Sequence, residues 1–480
     1  MGENEISGGS FTNVVQAGEV RQLTFHIPGQ APVPRFLRDP ASWPLASELD
    51  ALSAGVHRAR PAADGGRLPS YVPRDIDAAL RERITLGGLV IVLGDSTAGK
   101  TRAALEAIRA VLPGHRFLMP PTRTSLRDIP EAVERSQISE VVVWLDDLER
   151  FLVQDGLEPE VLADLVRVEI PIVATMRLKA YEIFTGEQDS GIGPQVLRAA
   201  EIIDLDRLWS DAELSRAAAS EDPRILDALT RHGPFGIAEY LAAGPTLLRE
   251  WRRARRAHGH ARGAALVAAA VDLARTGLRG PWPRALLTEL HEHYLAQAGG
   301  PVLRPESLDE AFIWASRIRG GVTSLLLPAP CEIPVEERWV PFDYLTDHTD
   351  APIPDQIWEA SLVHAEDSAD LAAVGQNAVT TAPHIAERAW RTLAASGRPN
   401  STFNLALLLY RRGELTEARR LWIIAATAHH GRAALRLALM TARSGEMAES
   451  RDWCTRAIAY GPAEVSERAT RLRDALDAKG

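Results

Sequence analysis

The chain has 480 residues, 46% of them hydrophobic and 25% charged, with a formal net charge of −10. That length supports two to four domains, and the acidic balance argues against broad non-specific nucleic-acid binding. Two cysteines, Cys331 and Cys454, cannot build a disulfide framework, so with no signal-peptide pattern the expected setting is the reducing cytoplasm. The longest apolar run, Ala264 to Val271, is too short to span a bilayer.

From Ile6 to Val20, apolar and small polar residues alternate with Gln16, Asn13 and glycine turns, a pattern with strand propensity. So short a segment cannot form its own core and must add to another sheet or stack with copies of itself. The tetrad Val15-Gln16-Ala17-Gly18 resembles the core of the RHIM family and its bacterial amyloid-signalling relatives, with Ala17 where a branched residue is usual. The resemblance implies self-assembly through residues 5–20; a plain hairpin or disordered tail is the alternative. Residues 1–28 are therefore read as a short β-prone motif and 29–75 as linker and lead-in.

The most specific signal follows the apolar run Leu89-Val90-Ile91-Val92-Leu93. Gly94-Asp95-Ser96-Thr97-Ala98-Gly99-Lys100-Thr101 spells GxxxxGK[ST], a loop whose backbone N–H groups face phosphate. Lys100 adds a compact cation for the β- and γ-phosphates, and Thr101 opens a helix where its hydroxyl can ligate Mg²⁺. The helix over Arg102 to Leu112 ends at Pro113-Gly114. Only three lysines stand among the 54 basic residues (Lys100, Lys179 and Lys479), which makes a chance match improbable.

A strand and helix (Arg116 to Met119, Ser125 to Ser136) precede a second buried strand, Glu140 to Leu145, which ends in Asp146-Asp147. An aspartate at the end of an apolar strand is placed to hold Mg²⁺, the Walker-B role of Asp146. Asp147 is then the candidate that orients or deprotonates the attacking water, and an acidic helix start before Leu148 is the alternative. A helix near Glu160 to Val166, a strand from Ile170 to Ala174 closing on Thr175-Met176-Arg177, and a strand Glu201 to Leu205 complete a five-stranded parallel sheet. Residues 76–207 thus form a P-loop NTPase domain.

Ser210-Asp211-Ala212-Glu213 is a capping box that opens a helical lid domain over 208–262, where Arg249, Arg252, Arg253, Arg255 and Arg256 read as a solvated face at a helix end. Helices near Ala264 to Thr276, Pro283 to Ala296 and Leu308 to Arg317, then β-like runs Gly321 to Leu327 and Arg338 to Asp343, suggest a winged-helix-like domain over 263–348. Residues 349–480 repeat: Leu405 through Leu415 recurs 32 residues later as Leu437 through Met447, and Trp358, Trp390 and Trp422 share that spacing. Helix pairs turning at glycine build a solenoid, with the tryptophans as core between hairpins. The pattern resembles tetratricopeptide or Sel1-like repeats.

The P-loop, the Asp146-Asp147 pair and the Thr175/Arg177 strand tip together resemble the signal-transduction ATPases with numerous domains (STAND), relatives of the AAA+ ATPases. The wording VVWLDDLERF and ATMR is similar to actinobacterial ATP-binding proteins with tetratricopeptide-like C-termini, and the resemblance covers most of residues 70 to 480. It implies ATP with Mg²⁺ as ligands, γ-phosphate sensing by Thr175 or Arg177, winged-helix packing as an internal module, and a protein partner sensed by the repeats. The expected function is an ATP-driven signalling switch. An ATP-dependent winged-helix transcription regulator and a nucleotide-stabilised scaffold without turnover are the alternatives.

Overall fold

The computed structural model describes residues 34–59, 68–122, 124–136, 138, 140–153, 156–185, 192–256, 259–319, 321–329 and 337–477. The self-assembly motif expected at residues 5–20 lies outside them.

Helix α1 (Asp77–Leu86) leads into strand β1 (Leu89–Gly94), followed by α2 (Lys100–Val111), β2 (Arg116–Leu118), α3 (Ile129–Ser136), β3 (Val141–Leu145), α4 (Pro159–Arg167), β4 (Ile172–Arg177), α5 (Leu178–Thr185), α6 (Ile192–Arg198) and β5 (Glu201–Asp204). All strand pairs are parallel and the order is β2-β3-β4-β1-β5, so β4 separates the Walker-B strand from the P-loop strand. The strands are continuous apolar runs because both faces are covered. Leu89, Ile91 and Leu93 pack with Val141, Val143 and helices α3, α4 and α6, whereas Val90 and Val92 pack with Val142, Trp144 and helices α1 and α2. The lead-in joins the second layer: Ala46, Leu49, Ala51 and Ala54 are buried there, and Trp144 Nε1 donates to the Ala54 carbonyl at 3.1 Å.

Four helices follow the sheet: α7 (Asp211–Ala218), α8 (Pro223–Arg231), α9 (Ile237–Leu241) and α10 (Gly244–Ala254). The Ser210/Glu213 capping box is present in both directions. Gly244 lies against the ring of Tyr344, where a β-carbon would stand 2.8 Å from it, so glycine permits α10 to meet the next domain. That domain is winged-helix-like: α11 (Ala261–Arg275), α12 (Arg284–Ala298) and α13 (Leu308–Ser316) with an antiparallel sheet ordered β6-β8-β7, from β6 (Trp282–Pro283), β7 (Leu326–Pro328) and β8 (Arg338–Pro341). Two residues are too few for β6 to leave a periodic signal. Short α14 (Asp343–Asp347) ends it.

Antiparallel helices then stack into the C-terminal solenoid: α15 (Asp355–Val363), α16 (Ser368–Ala378), α17 (Pro383–Ala395), α18 (Pro399–Arg411), α19 (Leu415–Thr427), α20 (Gly431–Arg443), α21 (Met447–Tyr460) and α22 (Ala463–Asp477). Gly413 and Gly445 take φ of +83° and +82° between helices, a backbone state that glycine enters without strain. Trp358, Trp390 and Trp422 are buried as core. Among the described residues no helix is long and apolar enough to cross a membrane.

Candidate nucleotide site

Strand β1 delivers the chain into the P-loop at Gly94, where a β-carbon would come 2.5 Å from the Leu205 carbonyl. Along the loop Thr97 and Gly99 have positive φ, +60° and +102°, which turns successive N–H groups toward one concavity, an anion-binding nest. The Thr97 hydroxyl is buried with no protein partner. Lys100 Nζ donates to the Asp95 carbonyl at 2.8 Å, folding the lysine over its own loop. Burial lowers the pKa of this ammonium, while Asp147, Glu149 and Asp347 act in the opposite sense.

The Walker-B end is organised around one oxygen. Asp146 Oδ1 accepts from Thr101 Oγ1 at 3.1 Å and from Thr175 Oγ1 at 2.7 Å, and the Thr175 hydroxyl in turn accepts from the Asp147 N–H at 3.0 Å. Thr175 is fully buried, so its hydroxyl braces the two aspartates from the inserted strand. Burial raises the Asp146 pKa, with the neighbouring Asp147 charge adding to it. Asp147 takes a left-handed φ of +56°, and its Oδ2 pairs with Arg150 at 2.8 Å. Burial alone would raise its pKa, but Arg150, Arg177 and Lys100 outweigh that and keep it ionised.

Arg177 ends β4 beside Gly94 in register. Its Nε donates to Glu149 Oε1 at 2.6 Å, and its Nη1 lies 3.6 Å from Asp347 on α14. Lys179 reaches Asp350 at 3.0 Å. Asp347 on α14 thus sets a carboxylate against the arginine at the tip of the inserted strand.

These residues line a cavity of about 260 Å³ whose floor is the P-loop with Asp146, Asp147, Arg150 and Arg177, and whose apolar wall includes Val56, Val72, Trp209, Ile225 and Leu241. Arg74 ties the two halves: Nη1 donates to the Ala98 carbonyl at 3.1 Å, Nη2 to the Asp206 carbonyl at 2.8 Å, and Nε to Glu213 at 2.8 Å, with the guanidinium 5.1 Å from the Trp209 ring. Sequence reasoning missed Arg74, Gly55 and Asp347. Arg74 lies in Tyr71-Val72-Pro73-Arg74-Asp75 just before α1, and a single buried arginine carries no periodicity; its closeness to the P-loop in sequence was the one available signal.

The donor set fits a phosphate chain with a divalent cation. Lys100 and backbone N–H groups of the loop can meet phosphate oxygens, the unpartnered Thr97 hydroxyl faces no competing protein group, and Thr101 and Asp146 are already joined as a pair that can hold a hydrated cation.

No protein-family model matches this sequence, and no curated protein does. Among solved structures the chain is similar to a STAND protein with a tetratricopeptide repeat sensor from Pyrococcus horikoshii, at 12% identity over 86% of this chain and 68% of that one, with a TM-score of 0.28. A Walker-type ATPase of Pyrococcus abyssi is similar at 14% identity over 61% of this chain and 97% of that one, with a TM-score of 0.23. Identities and scores this low carry no argument about what this chain does; the geometry must.

Proposed function

We propose that this chain binds ATP and Mg²⁺ and acts as a STAND-type signalling switch that hydrolyses ATP slowly, senses a protein partner through its helical repeats and relays assembly through its N-terminal motif. The observation that carries the reading is the junction of Thr101, Asp146 and Thr175: one carboxylate oxygen gathers a P-loop hydroxyl and is braced by an inserted-strand hydroxyl, which sets the P-loop hydroxyl and the carboxylate where a phosphate-bound cation could meet both. When bound, Mg²⁺ would neutralise charge on the phosphates. Asp147, kept ionised by three cations, is suited to orient or deprotonate water, and Arg177 to meet charge on the terminal phosphate once released from Glu149 and Asp347. Adenine preference rests on the family resemblance.

The contact of Asp347 with Arg177 supports a resting state in which the winged-helix-like domain restrains the sensing arginine. The transcription-regulator reading is weakened at α13. Its first turn carries Asp309 and Glu310, while Arg317 and Arg319 lie 3.4 Å and 2.9 Å from Glu250 and so are committed within the protein. Calorimetry with ATP and with ADP, a turnover assay, and solution mass in each nucleotide state test the proposal. A chain with no nucleotide affinity overturns it, and affinity without turnover leaves the scaffold.

A further inference from the structure

Several arginines of the solenoid on α17, α19 and α21 are paired with carboxylates. Arg388 meets Glu359 at 2.5 Å, Arg391 meets Glu387 and Glu417 at 2.8 and 2.9 Å, Arg419 meets Glu449 at 3.1 Å, and Arg451 meets Asp477 at 2.6 Å. On the alternate helices α18, α20 and α22, Arg411, Arg436, Arg443 and Arg468 are exposed, and among the described residues none of the four forms an ion pair.

Their placement follows the repeat. Arg411 and Arg443 are 32 residues apart, as are Arg436 and Arg468, so each pair occupies one position of successive repeats. Arg436 and Arg443 stand seven residues, two turns, apart on α20 and share a face. Stacked hairpins place their first helices side by side along one surface. The four guanidinium groups also feel one another: burial lowers the pKa of Arg436, and Arg468, Arg411 and Arg443 lower it further as like charges. In a chain of net charge −10, a row of like charges at matching repeat positions costs stability through mutual repulsion.

We propose that the face formed by α18, α20 and α22 docks an acidic peptide segment of the partner protein, its carboxylates replacing the missing counter-charges of Arg411, Arg436, Arg443 and Arg468. This rests on the reading of the repeats as a partner sensor and specifies that partner's chemistry. Guanidinium groups pair with carboxylates in a planar, two-bonded geometry, and a short extended acidic segment can follow the row from repeat to repeat. Nucleic acid suits the surface less well. Its charge is continuous and would run past Glu387, Glu417, Glu446 and Glu449 on the flanking helices and turns, whereas the unmatched row is short.

The test uses the full chain and fluorescence anisotropy with three labelled probes: a peptide of about 12 residues alternating Glu or Asp with Ser and Gly, its Gln/Asn counterpart, and a single-stranded oligonucleotide of similar length. The acidic peptide should bind about tenfold or more tightly than the neutral one, and Arg436→Glu with Arg468→Glu should remove that preference. The milder Arg436→Gln with Arg468→Gln should give a partial loss, with circular dichroism unchanged. ATP binding is measured in the same samples, so loss of the switch reading shows as absent nucleotide affinity while peptide binding persists. Equal binding of acidic and neutral peptides, binding insensitive to both double variants, or tighter binding of the oligonucleotide overturns the proposal.

Discussion

Gly55 rests directly on Asp146: a β-carbon at Gly55 would stand 2.2 Å from Asp146 Oδ2, and the glycine holds a φ of +99°. The lead-in segment is thereby part of the proposed nucleotide site, since it stands against the second oxygen of the carboxylate whose first oxygen meets Thr101 and Thr175. Gly55→Ala should both strain the backbone and push the Asp146 carboxylate from its two hydroxyl partners, costing about 1–3 kcal/mol of stability. Calorimetric ATP titrations with Mg²⁺ and with EDTA should then differ less than in the parent protein. An unchanged Mg²⁺ dependence would remove Gly55 from the site.

Binding and chemistry should separate between two residues of the cavity floor. Lys100→Ala deletes the cation proposed to meet phosphate, so ATP affinity should fall about 10- to 100-fold. Asp147→Asn keeps shape and most hydrogen bonding while removing the charge, so binding should persist and turnover should drop about 100-fold or more. Loss of affinity in both variants alike would show that Asp147 serves loop structure through Arg150 and not chemistry.

Much of this site was legible because its parts are local in sequence. The P-loop is eight adjacent residues after a five-residue apolar run, and Asp146 follows another; buried parallel strands leave such runs, so the sheet and its five strands could be read directly. Contributions arising only when distant segments meet were not legible. Asp347 reaches Arg177 across 170 positions of chain, and nothing in the local sequence of Asp343 to Asp347 separates it from an ordinary exposed turn. Thr175 stands at the expected strand tip, yet the structure gives its hydroxyl to both aspartates, a bracing role that its position alone did not reveal. The gathering of Arg411, Arg436, Arg443 and Arg468 near one another likewise required knowing which helices face one another.

The Asp347–Arg177 contact predicts how the proposed resting state would be held. Burial raises the Asp347 pKa while Arg177 lowers it, so the carboxylate depends on that guanidinium for its charge. Asp347→Asn should loosen α14 from the strand tip without touching the P-loop. Nucleotide exchange followed with a fluorescent ADP analogue should accelerate several-fold, with ADP affinity reduced by a similar factor. The same exchange rate in parent and variant would deny the contact any restraining role.

His430 gives the solenoid a pH dependence whose sign follows from its bonding. Its Nδ1 accepts the Ala433 N–H at 3.1 Å as the cap of α20, and its ring stacks on Phe403 with centroids 4.7 Å apart. A proton on Nδ1 would end the cap, and burial, aided by Arg432, lowers the folded pKa to about 4 from the usual 6.5. Above pH 6.5 the imidazole is neutral whether the chain is folded or not, and it adds no pH dependence. Between 6.5 and 4 the unfolded chain takes up a proton that the folded one resists, so stability falls as pH drops through this window and levels off below it. With partial exposure discounted, the loss should be about 1–2 kcal/mol, concentrated in the last two repeats. His430→Asn keeps an acceptor at the cap and removes the titration, so it should cost little at pH 7.5 and show a smaller decline at pH 5. Urea unfolding at the two pH values, read as the difference between parent and variant so that other titrating groups cancel, measures the effect. An identical decline in both proteins would show that His430 is not the group that titrates.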